Sequence, residues 1–309
     1  MPIAAAGGSY DGAETNCDAG ANPNQAQIGE VDMTEGFAQI DQSKPSIARV
    51  YDYLLGGKDN YGVDRKIGDF FIKDLPGSVS IAYANRQALI RAVGAISRDG
   101  ISQFIDIGSG LPTVDNVHQI AQRHNPGARV VYVDNDPIVL AHGRALLATD
   151  ENTTVFRADL RNPEEIRKNS DVERLINFDE PVGVIFSAIL HHLNDSESPA
   201  DLVDWWADQV PSGSEFYISH FRSGLNAETQ AAEAKLQESF GRGRWRTDEE
   251  IVALFGDLEV LDPGLVNCSL WRPAPAPGDD VSKIGVEERE LSDLTLWEQL
   301  ISCALARKP

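Results

Sequence analysis

Four short runs in this chain place carboxylates, glycines and histidines where an apolar stretch gives way to a polar one. The first is Phe104-Ile105-Asp106-Ile107-Gly108-Ser109-Gly110. Glycines at a strand-to-helix turn let the backbone pass close to a ligand and expose the N–H groups of the next helix. Asp106 stands two residues before the first glycine. The second run, Val131-Tyr132-Val133-Asp134-Asn135-Asp136-Pro137, puts an acid at the end of the next strand, where a carboxylate can accept hydrogen bonds from both hydroxyls of a ribose. The plainer alternative is that an acid here caps the helix opened by Pro137; Asp136 suits that cap and leaves Asp134 for a sugar. The third, Arg157-Ala158-Asp159-Leu160, offers an acid for an adenine amine and an apolar side chain for its ring, or simply an acidic loop.

The fourth run is Ser187-Ala188-Ile189-Leu190-His191-His192, at the rim where ligands bind in open α/β sheets. His191 is a candidate general base, because imidazole titrates near neutral pH; a structural histidine bonded to backbone is the alternative. Adjacent histidines do not share a helix face, so they are not expected to form a metal pair, and no metal site is expected elsewhere. The charge pattern separates two adenosine-containing ligands. A dinucleotide brings a pyrophosphate to the glycine turn, which Asp106 would repel, and its fingerprint calls for a third glycine where this chain has Thr113. S-adenosylmethionine brings an amino group and a sulfonium, both cationic, which a carboxylate there would favour. An NAD-dependent oxidoreductase is therefore the weaker alternative.

The elements that would position these residues follow from periodicity. Ile47, Val50, Tyr51, Leu54 and Leu55 recur at helical steps, and Gly56-Gly57 ends that helix. Further helices are expected over 63–74 and 81–98. Strands then alternate with helices: strands near 103–107, 129–133, 154–156, 182–187 and 215–219, and helices near 114–124, 137–147, after Pro163, after Pro199, 227–239 and 248–255. A strand at 258–261 and a last one at 300–306 complete the pattern. Such alternation implies a mostly parallel sheet with helices on both faces. Residues 1–43 are polar and aperiodic and are expected to be a disordered tail. Residues 44–99 are expected to form a helical cap or lid, and 100–309 the α/β domain, with a long acidic, proline-rich loop over 272–297 before the last strand.

The 309 residues are 42% hydrophobic and carry a net charge of −21. So acidic a chain repels a phosphate backbone at long range, so no nucleic-acid partner is expected. Arg242, Arg244 and Arg246 around Trp245 form the one basic cluster that could act otherwise; a solvated turn offsetting nearby acids is the plainer reading. Three cysteines without a CxxC spacing fit a reducing compartment. No apolar run reaches roughly 18 residues and no secretory signal is seen, so no membrane association and a cytoplasmic location are expected.

In order and spacing the four runs look like the motifs of class I methyltransferases. A closer resemblance begins upstream. Pro45-Ser46-Ile47-Ala48-Arg49-Val50-Tyr51-Asp52-Tyr53-Leu54-Leu55-Gly56-Gly57-Lys58-Asp59-Asn60-Tyr61, then Ala84-Asn85-Arg86, then the runs at Asp106 and Asp134 resemble the actinobacterial "S-adenosyl methyltransferase" family, from about residue 44 onward. The resemblance implies a Rossmann-like, seven-stranded, mostly parallel sheet with an N-terminal helical cap, its last strand antiparallel between the fifth and sixth. It implies S-adenosylmethionine as cofactor and methyl transfer to an unknown, small-molecule acceptor; a non-catalytic S-adenosylmethionine sensor is the alternative. Asp106, Gly108, Ser109 and Gly110 would then line the methionine part. Asp134 and Asn135 would sit at the ribose and adenine, Asp159 and Leu160 at the base, and Ser187 near the sulfonium. Tyr53, Gly57, Lys58, Asn60 and Arg86 would close over the cofactor, Arg86 pairing with its carboxylate.

Overall fold

The computed structural model describes residues 41–309 except 75–76, 114, 147–149, 224–225 and 274–289. The expected tail therefore lies almost wholly outside the described residues, as does most of the 272–297 loop. The described chain opens with three helices, α1 (Ile47–Leu54), α2 (Gly62–Asp74) and α3 (Ser78–Arg98). It then alternates through β1 (Gln103–Ile107), α4 (Val117–His124), β2 (Arg129–Asp134), α5 (Pro137–Leu146) and β3 (Thr153–Arg157). There follow α6 (Pro163–Arg167), α7 (Ser170–Leu175), β4 (Gly183–Ser187), α8 (Pro199–Gln209) and β5 (Glu215–Phe221). The end of the chain holds α9 (Ala227–Phe240), α10 (Asp248–Ala253), β6 (Glu259–Val260), β7 (Val266–Asn267) and β8 (Ile301–Arg307).

The strands lie in the order β3-β2-β1-β4-β5-β8-β6. β1 to β5 are parallel, and β8 runs antiparallel between β5 and β6. An eighth strand joins the seven expected: β7 pairs with β8 at 302–303, further along the edge that β6 takes at 306–307. Two-residue strands carry no readable alternation, which is why β7 escapes sequence reasoning. The helix opened by Pro163 is likewise two short helices, because Asn169 accepts from the N–H of Asp171 and starts α7 afresh.

Each central strand is buried on both faces, and alternate residues go to opposite cores. Phe104, Val130, Tyr132, Ile185 and Tyr217 pack toward α3 and α4. Ile105, Ile107, Val131, Val133, Val184, Phe186, Phe216 and Ile218 pack toward α6, α7 and α8. The order in which successive strands are added reverses between β1 and β4, and a crevice opens there beyond the carboxyl ends of these parallel strands.

α1 is fixed over that crevice by a buried ion pair. Arg49 Nε donates to Asp64 Oδ2 at 3.0 Å, and Asp64 also accepts from the backbone N–H of Ser46 and Tyr61. The Ser46 hydroxyl donates to Asp136 at the start of α5, so the cap is tied to the sheet domain.

Candidate functional site

A cavity of about 650 Å³ fills the crevice, within the range of pockets that hold small-molecule ligands. Asp106, Gly108, Ser109, Gly110, Asp134, Asn135, Asp159, Leu160, Ser187, Arg86 and His191 all line it. Residues spread over more than a hundred positions thus meet, because the parallel strands end on one rim.

The glycine turn is built by hydrogen bonds from β2. The N–H groups of Gly108 and Ser109 donate to Val133 O at 2.8 and 3.2 Å, and Gly110 N donates to Asp134 Oδ2 at 2.8 Å. Gly108 and Gly110 have φ of +75° and +67°, a region that L side chains enter only at a cost. The two glycines differ in their surroundings. A Cβ on Gly108 would overlap the Ile189 side chain, whereas one on Gly110 would meet nothing within 4 Å. Ser109 Oγ is buried with no hydrogen-bond partner among the described residues.

The acids divide by environment. Burial pushes Asp106 up to about 7; the Arg86 guanidinium opposes this and the Asp134 carboxylate adds to it. Burial also pushes Asp134 up to about 6, against the N–H groups of Asp136 and Gly110 that donate to it. Each of its oxygens accepts one backbone N–H, Gly110 at 2.8 Å and Asp136 at 2.9 Å, which leaves further lone pairs for a ligand. Asp136 caps α5 as expected, accepting from Ile138 N at 2.9 Å. Asp159 goes the other way: hydrogen bonds from the Arg161 side chain hold it below the usual carboxylate range. Arg86 donates to Asp115 O at 2.6 Å.

A second wall comes from the cap. Asn85 on α3 donates to Tyr51 Oη at 3.0 Å and to Ser187 Oγ at 3.3 Å, and accepts from Ser219 Oγ at 2.6 Å. One buried amide therefore joins α1, α3, β4 and β5. Beyond it stands His191, in a single turn after β4, 2% exposed. Burial, then His192, His220 and Arg246, hold its imidazole well below the ordinary histidine range, so it is neutral at pH 7. Its Nδ1 accepts from Phe221 N at 3.4 Å, which puts the proton on Nε2. That Nε2 has no partner among the described residues. The base role expected of His191 would need the other tautomer. Among the described residues no group of three His, Cys, Asp or Glu side chains could hold a metal ion.

The model of one family, described as S-adenosyl methyltransferase, matches residues 33–309. This chain belongs to that family. A candidate methyltransferase from Thermobifida fusca YX, solved by crystallography, is 43% identical over 87% of this chain and 97% of its own, with a TM-score of 0.81. A DUF574 family protein from Streptomyces avermitilis MA-4680 is 33% identical over 88% of this chain and 100% of its own, with a TM-score of 0.78. No functionally curated protein matches.

In this member of the S-adenosyl methyltransferase family, the four residues of the Tyr53–Asn60 run expected at the cofactor do not reach the cavity, although Leu54 beside them does. Tyr53, Gly57, Lys58 and Asn60 are not among its lining residues. Tyr53 turns outward and donates to Asp69 at 2.7 Å, while Tyr51 faces inward. The turn after α1 wraps the Asp52 carboxylate, which accepts from Asp59 N at 3.0 Å and Asn60 Nδ2 at 2.9 Å. A Cβ on Gly57 would overlap that carboxylate, and Lys58 is exposed. This segment fixes the α1–α2 turn. Sequence reasoning missed Tyr51, Asn85, Ser219, Phe221 and Trp245 at the site. Asn85 was in view beside Arg86, but no spacing rule ties it to Ser219, 134 positions away.

The three arginines read as a possible basic patch are instead spent on acids. Arg242 bonds Glu197, Arg244 bonds Asp195 and Glu250, and Arg246 is buried against His220, Leu190 O and Asp195. No helix among the described residues is long and apolar enough to cross a membrane.

Proposed function

We propose that this chain binds S-adenosylmethionine at the β1–β4 crevice and transfers its methyl group to a small-molecule acceptor. The observation that carries this reading is Asp106, a buried carboxyl beside a glycine turn, which burial pushes up to about 7 and whose ionised form a cation would favour. A phosphate at that turn would meet a repelling acid; an ammonium would be welcomed. The residues fit the cofactor further. Ser109 Oγ is an unsatisfied buried hydroxyl, Gly110 leaves open space on the cavity side, and Asp134 keeps acceptor capacity for ribose hydroxyls.

When bound, the cofactor supplies an electrophilic methyl group on sulfur. The chain's part is to bind and orient. Asp106 and Ser109 would hold the amino-acid end, with Arg86 beside them for its carboxylate. Asp134 holds the ribose; Asn135, Asp159 and Leu160 flank the base; Ser187, fixed by Asn85, borders the reacting centre. Holding acceptor and methyl in line accounts for much of the rate in such a site. His191, with its proton on Nε2, donates a hydrogen bond to the acceptor rather than taking its proton.

The test is calorimetric titration with S-adenosylmethionine, S-adenosylhomocysteine and NAD, repeated on Asp134→Ala. Saturable binding of the first two, weakened at least tenfold in the variant and absent for NAD, is expected. No binding of either adenosyl compound would falsify the reading. Transfer of labelled methyl into a cell-extract fraction then separates an enzyme from a sensor.

A further inference from the structure

The acids and glycines line only part of the cavity. Another part of its wall is made by α1, α2, α3, α9, the end of β5 and the loop between α9 and α10. The wall there is Phe71, Phe221, Leu236, Phe240 and Trp245, with Leu54 and Ile81. Phe221 and Trp245 stack in parallel, centroids 4.9 Å apart, and His192 meets Phe240 edge-on. No carboxylate, lysine or arginine is among these residues, and Arg242, which lines the same cavity, is bonded to Glu197. Burying an ion against such a wall would carry a heavy desolvation cost, so the occupant is uncharged. Its flat, aromatic sides suit stacking and edge contacts with a planar ring.

Two polar atoms break the apolar lining. Ser78 Oγ and His191 Nε2 are both buried, on residues 6% and 2% exposed, and neither has a hydrogen-bond partner among the described residues. Buried polar groups are satisfied in nearly all native sites, so an orphan pair on two residues that line one cavity marks where a ligand's own polar groups belong. His191 offers a donor; the Ser78 hydroxyl can donate or accept.

We propose that the helical half of the cavity is the acceptor subsite, and that it takes an uncharged, planar aromatic molecule carrying a hydroxyl or carbonyl oxygen that accepts from His191. This deepens the methyltransferase reading and rests on it, since the subsite is contiguous with the Asp106 half. Phe240 and Leu236, four residues apart on α9, form one side of the slot and set which ring systems fit.

The experiment uses the full chain saturated with S-adenosylhomocysteine, titrated with 1-naphthol, 1-naphthoate and 1-octanol while tryptophan fluorescence is followed. 1-Naphthol is expected to bind, with the carboxylate and the aliphatic alcohol each at least tenfold weaker. Leu236→Trp, which fills the slot, should weaken 1-naphthol at least tenfold, and Phe240→Leu about three- to tenfold, while S-adenosylhomocysteine affinity stays within about twofold. That last readout shows that the variants fold. If 1-naphthol binds no better than 1-octanol or 1-naphthoate, or if Leu236→Trp leaves its affinity unchanged, the proposal is overturned. Failure of S-adenosylhomocysteine itself to bind the wild type would overturn the cofactor reading instead, and the subsite with it.

Discussion

Asp106 shows how one side chain sets a ligand's charge. Without a ligand its carboxyl is raised to about 7 by burial, so at neutral pH it is only partly ionised. A cationic amino group favours the ionised form, and binding must then release a proton. Affinity for S-adenosylhomocysteine should therefore fall by roughly tenfold per pH unit below 7 and level off above it. Isothermal titration at pH 5.5, 6.5 and 7.5 measures this; equal affinity at all three would remove Asp106 from the ammonium site. The stability sign is opposite. A carboxyl raised above its unfolded value contributes stability that is present below about pH 4 and lost as pH rises through 7. Ligand-free Asp106→Asn should gain on the wild type in thermal melts between pH 4 and 8. The two glycines separate packing from approach. Gly108→Ala clashes with Ile189 and leaves φ +75° strained, so it should destabilise by more than about 2 kcal/mol. Gly110→Ala meets open space, so it should cost about 1 kcal/mol of stability but at least tenfold in cofactor affinity. Equal stability losses in urea titrations would contradict the distinction.

At the scale of elements, the cap matters as much as the sheet. α1 is held by Arg49 on Asp64, both almost fully buried, and by Ser46 on Asp136. Removing one partner of a buried pair leaves the other uncompensated, typically at about 3–5 kcal/mol. Arg49→Met should lower the unfolding free energy measured by urea titration by an amount of that order. Lys235→Ala, which breaks an exposed pair with Glu238 on α9, should move it by less than about 0.5 kcal/mol. Similar shifts in both variants would mean that the α1 latch carries no special weight. α3 does two jobs along its length. Its Ala88, Ala92, Val93 and Ile96 face packs on the sheet, while Asn85 and Arg86, a turn earlier, face the cavity. The helix signal was plain in the sequence; the polar turn at its start reads as a surface feature until Tyr51, Ser187 and Ser219 are seen around it.

For the whole molecule, the chain's last strand is structurally central. β8 pairs with β5 over seven positions and with β6 and β7 on its other edge. Deleting residues 301–309 should leave no cooperative thermal transition, because β5 becomes an exposed edge and both short strands lose the strand they pair with; a truncated chain that melts cooperatively would refute this. The charge of −21 acts on the same scale. Self-repulsion destabilises the compact state and is screened by salt. Raising sodium chloride from 0.05 to 0.5 M should lift the melting temperature by a few degrees, and a fall would show that the paired arginines outweigh the net field.

The alternation of strands and helices, the glycine turn and the acids at successive strand ends were legible in the chain's residues alone. Those are local signals: period, turn chemistry and the residue types that follow an apolar strand. Its Tyr-Leu-Leu-Gly-Gly-Lys-Asp-Asn run also announced the family before any fold was seen. What that run does emerges only once the chain is folded. Gly57 and Asn60 close a turn around Asp52 because hydrogen bonds over a few residues satisfy a buried carboxylate, and nothing in the spacing says whether such a residue faces a ligand or its own loop. The tautomer of His191, the Asn85 bridge and the aromatic wall of the cavity were equally out of reach. The first two depend on partners 30 and 134 positions away, and which of two ring nitrogens carries a proton, or which face of a helix meets solvent, is settled only when distant partners arrive.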